Sequence, residues 1–224
     1  MNHNIAIDGP AGAGKSTVAK SIAKELHYIY VDTGAMYRAM ALYLLRKGID
    51  PKDSKQIEEA CEIVDITLDY VNNEQVVLLN GENVNGLIRT EEVSAMASES
   101  SKNGKVRERL VSLQQALAKR TDVVMDGRDI GTVVLPDAFL KIYLTASTAV
   151  RAKRRYDELK EKGTDGISLA EIEKDIEARD RQDMTREISP LKQAEDAILV
   201  DSSALSAEEV VEKIVSLVKD NYKE

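Results

Sequence analysis

Tryptophan is missing from this chain, and phenylalanine and cysteine each occur once. The single thiol, Cys61, excludes an intramolecular disulfide framework and any zinc site built from several thiolates. Two histidines, His3 and His27, are too few for a histidine metal cluster. So few aromatic rings argue against stacking platforms for single-stranded nucleic acid. No long apolar run occurs, and no charged-then-apolar leader precedes the first strand-like residues at Asn4. Neither a signal peptide nor a membrane span is therefore expected, and the expected compartment is the cytoplasm. Positive charge is also in deficit, with 31 Lys and Arg against 39 Asp and Glu for a net charge of −8. Such a chain is a poor general binder of nucleic acid, so any anionic ligand must meet a local cluster of basic residues. Nothing in the composition demands a second copy, and a monomer is expected.

What is present is an alternation of short apolar runs with longer amphipathic segments. A length of 224 residues suits one α/β domain carrying one or two inserted subdomains. Strands are expected at Asn4–Asp8, Tyr28–Asp32, Asp122–Asp126, Leu140–Leu144 and Ala197–Asp201, the last read as buried like the others. Helices are expected over Gly14–Leu26, Ala35–Lys47, Ser54–Val64 with Ser54 as N-cap, Val106–Arg120 and Ser147–Lys162. Ser168 with Glu171, and Ser206 with Glu209, have capping-box spacing at the starts of two more. Five apolar strands with helices between them predict a parallel sheet covered on both faces. The texture changes at 65–101. There Ile66–Tyr70 and Gln75–Leu79 read as short antiparallel strands, Asn72-Asn73 and Asn80-Gly81 as hairpin signals, and Thr90 as a helix cap. This stretch is expected to be an inserted lobe.

The segment GPAGAGKS from Gly9 to Ser16 matches G-x4-G-K-[ST] in full. A chance match in a chain this long is roughly a one per cent event on average composition. It follows a predicted strand and opens a predicted helix, the context that a phosphate-binding loop requires. Its backbone N–H groups and the helix N-terminus favour an anion. Lys15 can reach the β and γ oxygens of a nucleoside triphosphate, and Ser16 can ligate Mg²⁺. The loop alone does not name the reaction.

Four further clusters stand at the ends of strands or on helix faces. Thr33 and Arg38 follow the strand that ends at Asp32, where ligands of parallel sheets bind. Arg128 and Asp129 follow the strand that ends at Asp126. Arg179, Asp183 and Arg186 are spaced i, i+4, i+7 and share a helix face. Arg151, Lys153, Arg154 and Arg155 concentrate positive charge in an acidic chain and suggest a lid over polyphosphate. The bland alternatives are, in turn, a helix cap with a solvated arginine, a structural salt bridge, a solvated ion-pair stripe and a basic helix face.

Together these residues resemble the bacterial-type cytidylate kinase family over nearly the whole chain. The likeness rests on IAIDGPAGAGKST, YVDTGAMYRAM, GENVNGLIRTEEVS, MDGRDIGTVVLPDA, RAKRRYDEL and RDRQDMTREISPL. It implies a P-loop nucleoside monophosphate kinase fold with an acceptor-binding lobe at 65–101 and a lid region at 147–186. It implies phosphorylation of CMP and dCMP by ATP with Mg²⁺. For ATP it points to Gly9, Pro10, Ala11, Gly12, Ala13, Gly14, Lys15, Ser16 and Thr17. Thr33 stands near the acceptor, and Arg38, Arg128 and Arg186 stand where the family holds its phosphate. Ser98, Arg107 and Asp129 stand where it faces the cytosine, and Arg179 and Asp183 match the pair near the ribose. Arg154 and Arg155 match lid arginines; with Lys15, Arg128 and Arg186 they make up the implied catalytic set. Gln182 departs from relatives that carry arginine there.

The residue types suit that chemistry. A phosphate acceptor has a second pKa of about 6 and needs no general base, so the task is to neutralise two approaching polyanions. A carboxylate such as Asp129 accepts from the cytosine N4 amino group, where uracil presents a carbonyl. Two other classes fit poorly: a GTPase switch needs an N-K-x-D motif that the chain lacks, and a nucleic-acid regulator conflicts with the acidic charge.

Overall fold

The computed structural model describes residues 2–71, 74–161, 163 and 166–222. In chain order the elements are β1 (Ile5–Asp8), α1 (Lys15–Leu26), β2 (Ile29–Asp32), α2 (Thr33–Arg46), α3 (Ser54–Ile63), β3 (Ile66–Val71), β4 (Glu74–Leu79), β5 (Glu82–Asn83), α4 (Glu91–Ser100) and α5 (Gly104–Ala118). There follow β6 (Val123–Gly127), a π-helical turn (Ile130–Val134), β7 (Leu140–Thr145), α6 (Thr148–Glu161), α7 (Leu169–Thr185), β8 (Ile198–Asp201) and α8 (Ala207–Asn221). The principal sheet has five strands, as the apolar runs predict, with β6-β1-β7-β8 among them in that order. The chain divides into two compact units, one of His3–Tyr28 with Val124–Glu224 and one of Ile29–Val123.

In the first unit, β1 lies between β6 and β7, and β7 pairs with β8, all parallel. Ile5, Ala6 and Ile7 are completely buried, as are Val124, Met125 and Leu144. Strands covered on both faces read as unbroken apolar runs, which is why these were visible in the sequence. β8 departs from expectation. It is the edge strand, only Val200 is buried, and Leu199 is 54% exposed. Both capping boxes form, with Ser168 and Ser206 accepting from the backbone N–H of Glu171 and Glu209. The helix end expected at Lys162 lies outside the described residues, and α6 is described to Glu161.

The second unit contains the antiparallel ladder β3-β4-β5. Asn80 and Gly81 have φ of 49° and 82°, the left-handed pair that a two-residue hairpin needs, and they join β4 to β5. The Asn72-Asn73 signal lies outside the described residues. Met36, Ala39, Met40 and Leu44 of α2 pack with Ile57 and Cys61 of α3, Val93 and Met96 of α4, and Leu110 of α5. Each fully buried large side chain here contributes about 1.5–3 kcal/mol. Thr90 caps α4 as expected, its Oγ1 accepting from the Val93 N–H. Ser54 does not cap α3; Asp53 does, because its carboxylate sits one residue earlier and accepts from the Gln56 N–H. Gln75 of β4 receives the Asp32 N–H on Oε1 (2.8 Å) and donates Nε2 to the Asp32 carbonyl (3.3 Å), tying the ladder to the end of β2.

Candidate active site

β1 delivers the chain to Gly9, where a side chain cannot fit. A Cβ there would lie 1.9 Å from the Leu144 carbonyl oxygen. Gly14, at φ 85°, is the N-cap of α1 and needs the left-handed conformation. The loop between them leads into Lys15 and Ser16, the first residues of α1. Lys15 is buried and its Nζ donates to the Pro10 carbonyl (2.7 Å). Ser16 Oγ donates to Asp126 Oδ2 at the end of β6 (2.9 Å).

Ala11, also in the loop, is clamped from outside. Its N–H donates to Asp180 Oδ1 (3.2 Å), and Arg151 Nη1 donates to its carbonyl (2.9 Å) and to Asp180 Oδ2 (2.6 Å). Arg151 Nε donates in addition to the Ala146 carbonyl (2.9 Å). Arg151 and Asp180 are buried. The first turn of α6 is therefore anchored to the loop, and the lid reading of that helix did not foresee it. Basic residues crowded at Arg151, Lys153, Arg154 and Arg155 do not reveal which one turns inward.

Beyond β6 the chain forms the π-helical turn, which sequence reasoning missed. Asp8, at the end of β1, holds its start by accepting the Ile130 N–H on Oδ1 (2.8 Å) and the Gly131 N–H on Oδ2 (2.7 Å). A π turn at this point re-aims the residues before it, and such turns collect at functional sites. Burial pushes the Asp8 carboxyl up to about 6; the two N–H bonds and Lys15 lower it, while Asp129 raises it. Burial pushes the Lys15 ammonium down to about 7, helped by Arg128 and Arg179 and opposed by Asp126 and Asp8.

Of the arginines and acids named from the sequence in this unit, Arg128, Asp129, Asp183 and Arg186 converge. Arg128 Nε donates to Asp183 Oδ2 (2.8 Å), and Arg186 lies 3.6 Å from Asp183 and 3.9 Å from Asp129. Burial raises the Asp183 carboxyl, but Arg128, Arg186 and Arg179 together hold it below the usual carboxylate range. Arg154 donates to the Ser202 carbonyl (2.8 Å) and stands 4.0 Å from the place a Cβ on Gly14 would occupy. Arg155 is turned elsewhere and pairs with Glu158 (2.9 Å) on an exposed face.

Thr33, Arg38, Ser98 and Arg107 belong to the second unit. Thr33 is buried at the start of α2. Asp32 caps that helix, its Oδ1 accepting the Ala35 N–H (2.9 Å), while Arg38 donates to its Oδ2 (3.0 Å). Arg107 is buried, donates to the Ser101 carbonyl (3.3 Å) and lies 5.4 Å over the Tyr37 ring. The Ser98 carbonyl accepts from Ser101 Oγ (2.9 Å). The sequence carries no separate signal for Asp32 as the partner of Arg38 or for Tyr37 as the partner of Arg107.

No cluster of three or more His, Cys, Asp or Glu side chains among the described residues forms a ready metal cage. Ser16 and Asp126 nevertheless make a fitting edge for Mg²⁺, which binds through one or two protein oxygens, water and substrate phosphates. No helix among the described residues is long and apolar enough to cross a membrane.

The family model described as cytidylate kinase matches residues 5–220. This chain belongs to the cytidylate kinase family. The cytidylate kinase of Caldicellulosiruptor bescii is 55% identical over 214 residues, covering 96% of this chain and 94% of that protein. That of Bacillus cereus strain B4264 is 50% identical over 215 residues, covering 96% and 95%. Among solved structures, an uncharacterized protein of Eubacterium ventriosum superposes with a TM-score of 0.54 at 12% identity, covering 96% of this chain and 97% of that one. A gluconokinase of Sinorhizobium meliloti does so with 0.50 at 14%, covering 99% and 98%. At such identities the structural likeness speaks for the fold, a P-loop kinase sheet, and the family membership rests on the sequence.

Proposed function

We propose that this protein transfers the γ-phosphoryl group of ATP to the phosphate of CMP, and of dCMP, by in-line displacement, giving ADP and the corresponding diphosphate. The observation that carries the reading is the junction of two features in one unit. A complete phosphate loop with Lys15 at its floor stands beside the Arg128–Asp183–Arg186 network, in a chain of the cytidylate kinase family.

The loop from Gly9 to Thr17 cradles the triphosphate with its backbone N–H groups, and Lys15 supplies charge at the β and γ oxygens. Its hydrogen bond to Pro10 keeps the ammonium in place before substrate arrives. Ser16 and Asp126 would hold Mg²⁺, which when bound neutralises charge on the β and γ phosphates. Thr33, Arg38, Arg128 and Arg186 take the acceptor phosphate, whose oxygen is already ionised near neutrality and attacks without a base. Asp183, paired with Arg128 and Arg186, orients these guanidiniums, and with Arg179 it serves the ribose side. Asp129, Ser98 and Arg107 read the cytosine edge; a carboxylate accepts from N4 and opposes a uracil carbonyl. Arg154 and Arg155 belong to a lid region at 147–186 that closes over the phosphates, and the lobe at 65–101 binds the acceptor. The ligands are then small molecules, with neither nucleic acid nor membrane as partner, and a cytoplasmic monomer suffices for the reaction.

The test is product analysis after mixing the protein with ATP, Mg²⁺ and CMP. CDP and ADP appear in equal amounts if the reading holds. ADP and free phosphate without CDP would identify a hydrolase and overturn it.

A further inference from the structure

Arg89 has no assigned task in the reading above. Its side chain is 68% exposed, yet its Nη2 lies 3.3 Å from Asp32 Oδ2, the same oxygen that accepts from Arg38 at 3.0 Å. Two guanidiniums thus share one carboxylate oxygen, and the three side chains carry a net single positive charge. The other oxygen of Asp32 is engaged by the Ala35 N–H at the start of α2. Arg38 Nε is buried without a hydrogen-bond partner among the described residues. Gly34 keeps the first turn of α2 open beside that guanidinium: a Cβ on Gly34 would stand 3.2 Å from Arg38 Nη1.

The root of Arg89 is fixed even though its tip is exposed. Ile88 before it is buried, with its N–H on the Val84 carbonyl (3.2 Å), and Thr90 after it caps α4. An exposed ion pair contributes little to stability, so fold stability alone gives no account of why a cation is presented here. A surplus of guanidinium donors around one carboxylate is a site that a phosphate completes. A phosphate monoester carries close to two charges near neutrality and three acceptor oxygens, and it competes effectively with a carboxylate for arginine forks.

We infer that Arg89 is a second guanidinium for the acceptor phosphate, acting beside Arg38, with Asp32 holding both forks in place until the monophosphate arrives. The inference rests on the reading of Arg38 as an acceptor-phosphate residue. In that arrangement the end of the inserted ladder carries a phosphate contact of its own. Occupancy of the acceptor site is then coupled to the position of residues 84–90.

Calorimetric titration of the parent protein, R89Q and R89K with CMP, cytidine and ATP tests this without turnover. The expected result for R89Q is a loss of CMP affinity of roughly tenfold, with cytidine and ATP affinities unchanged. R89K, which keeps the charge but loses the fork, falls between parent and R89Q. The thermal midpoint of R89Q stays within a few degrees of the parent's, because the side chain is exposed. Unchanged CMP affinity in R89Q, or equal losses for CMP and cytidine, overturns the assignment; the second outcome makes Arg89 a brace for the lobe. A parent protein that binds CMP no better than cytidine gains nothing from the phosphate, which overturns the acceptor-phosphate reading of Arg38 itself and the inference with it.

Discussion

Replacing Arg151 by methionine keeps much of the buried stem and removes the guanidinium that joins Ala11, Ala146 and Asp180. The Asp180 carboxylate is then left in a site where it is 8% exposed and lacks its cation. Removing one partner of a buried ion pair costs about 3–5 kcal/mol. In a chain of this size each kcal/mol moves the thermal midpoint by about 2–4 °C, so R151M should lower it by about 6–20 °C. Replacing both partners, as in R151M/D180L, removes the stranded charge, and such apolar substitutions are often neutral; most of the lost midpoint should return. ATP affinity should behave differently. Ala11 loses both of its external bonds in the double variant, so the loop is no longer held in its binding shape. Affinity should stay about tenfold below the parent even where stability has recovered. Scanning calorimetry and nucleotide titration on the three proteins measure the two quantities separately. A stability loss of under about 1 kcal/mol in R151M, or parent-like ATP affinity in the double variant, would refute the argument that this pair shapes the phosphate loop.

Lys15→Met should abolish phosphoryl transfer while the circular dichroism spectrum and melting curve remain those of a folded protein; retained turnover would remove Lys15 from the chemistry. Asp129→Ala should erode the preference for CMP over UMP by about tenfold, an amount set by one reversed hydrogen-bond contact, while leaving ATP binding intact. Selectivity equal to the parent's in steady-state assays would take Asp129 out of base recognition. Asp8→Asn should change the pH dependence of stability. The native carboxyl, raised to about 6, keeps its proton between pH 4 and 6 while the unfolded chain loses it, so the contribution of Asp8 to stability falls as pH rises through that window. The variant lacks that slope, and its midpoint relative to the parent should climb from pH 4 to 6 and then level. A flat difference would contradict the raised value.

The central strands and the phosphate loop were readable in the sequence because each carries a local signature. Ile5–Ile7 is an unbroken apolar run, and glycines at fixed offsets precede Lys15. Both capping boxes have a fixed spacing and formed where expected. Features set by tertiary partners were hidden. Ile198 and Leu199 are as apolar as core residues, but β8 is an edge strand and both are left exposed. The choice of Asp53 over Ser54 as N-cap depends on where the helical dihedrals begin, which composition does not specify. The π-helical turn is held by Asp8, more than a hundred residues away in the chain, and its own IGTVV sequence shows no sign of it. The inward turn of Arg151 and the pairing of Arg89 with Asp32 likewise come from long-range contacts within each unit.

Initial rates with ATP and Mg²⁺ for CMP, dCMP, UMP and AMP, compared as kcat/KM, bear most directly on the claim that a phosphate loop and its neighbouring arginines serve a cytosine monophosphate. CMP and dCMP should exceed UMP and AMP by roughly tenfold or more, the discrimination one unfavourable edge contact supplies. Equal values for CMP and either UMP or AMP would contradict it.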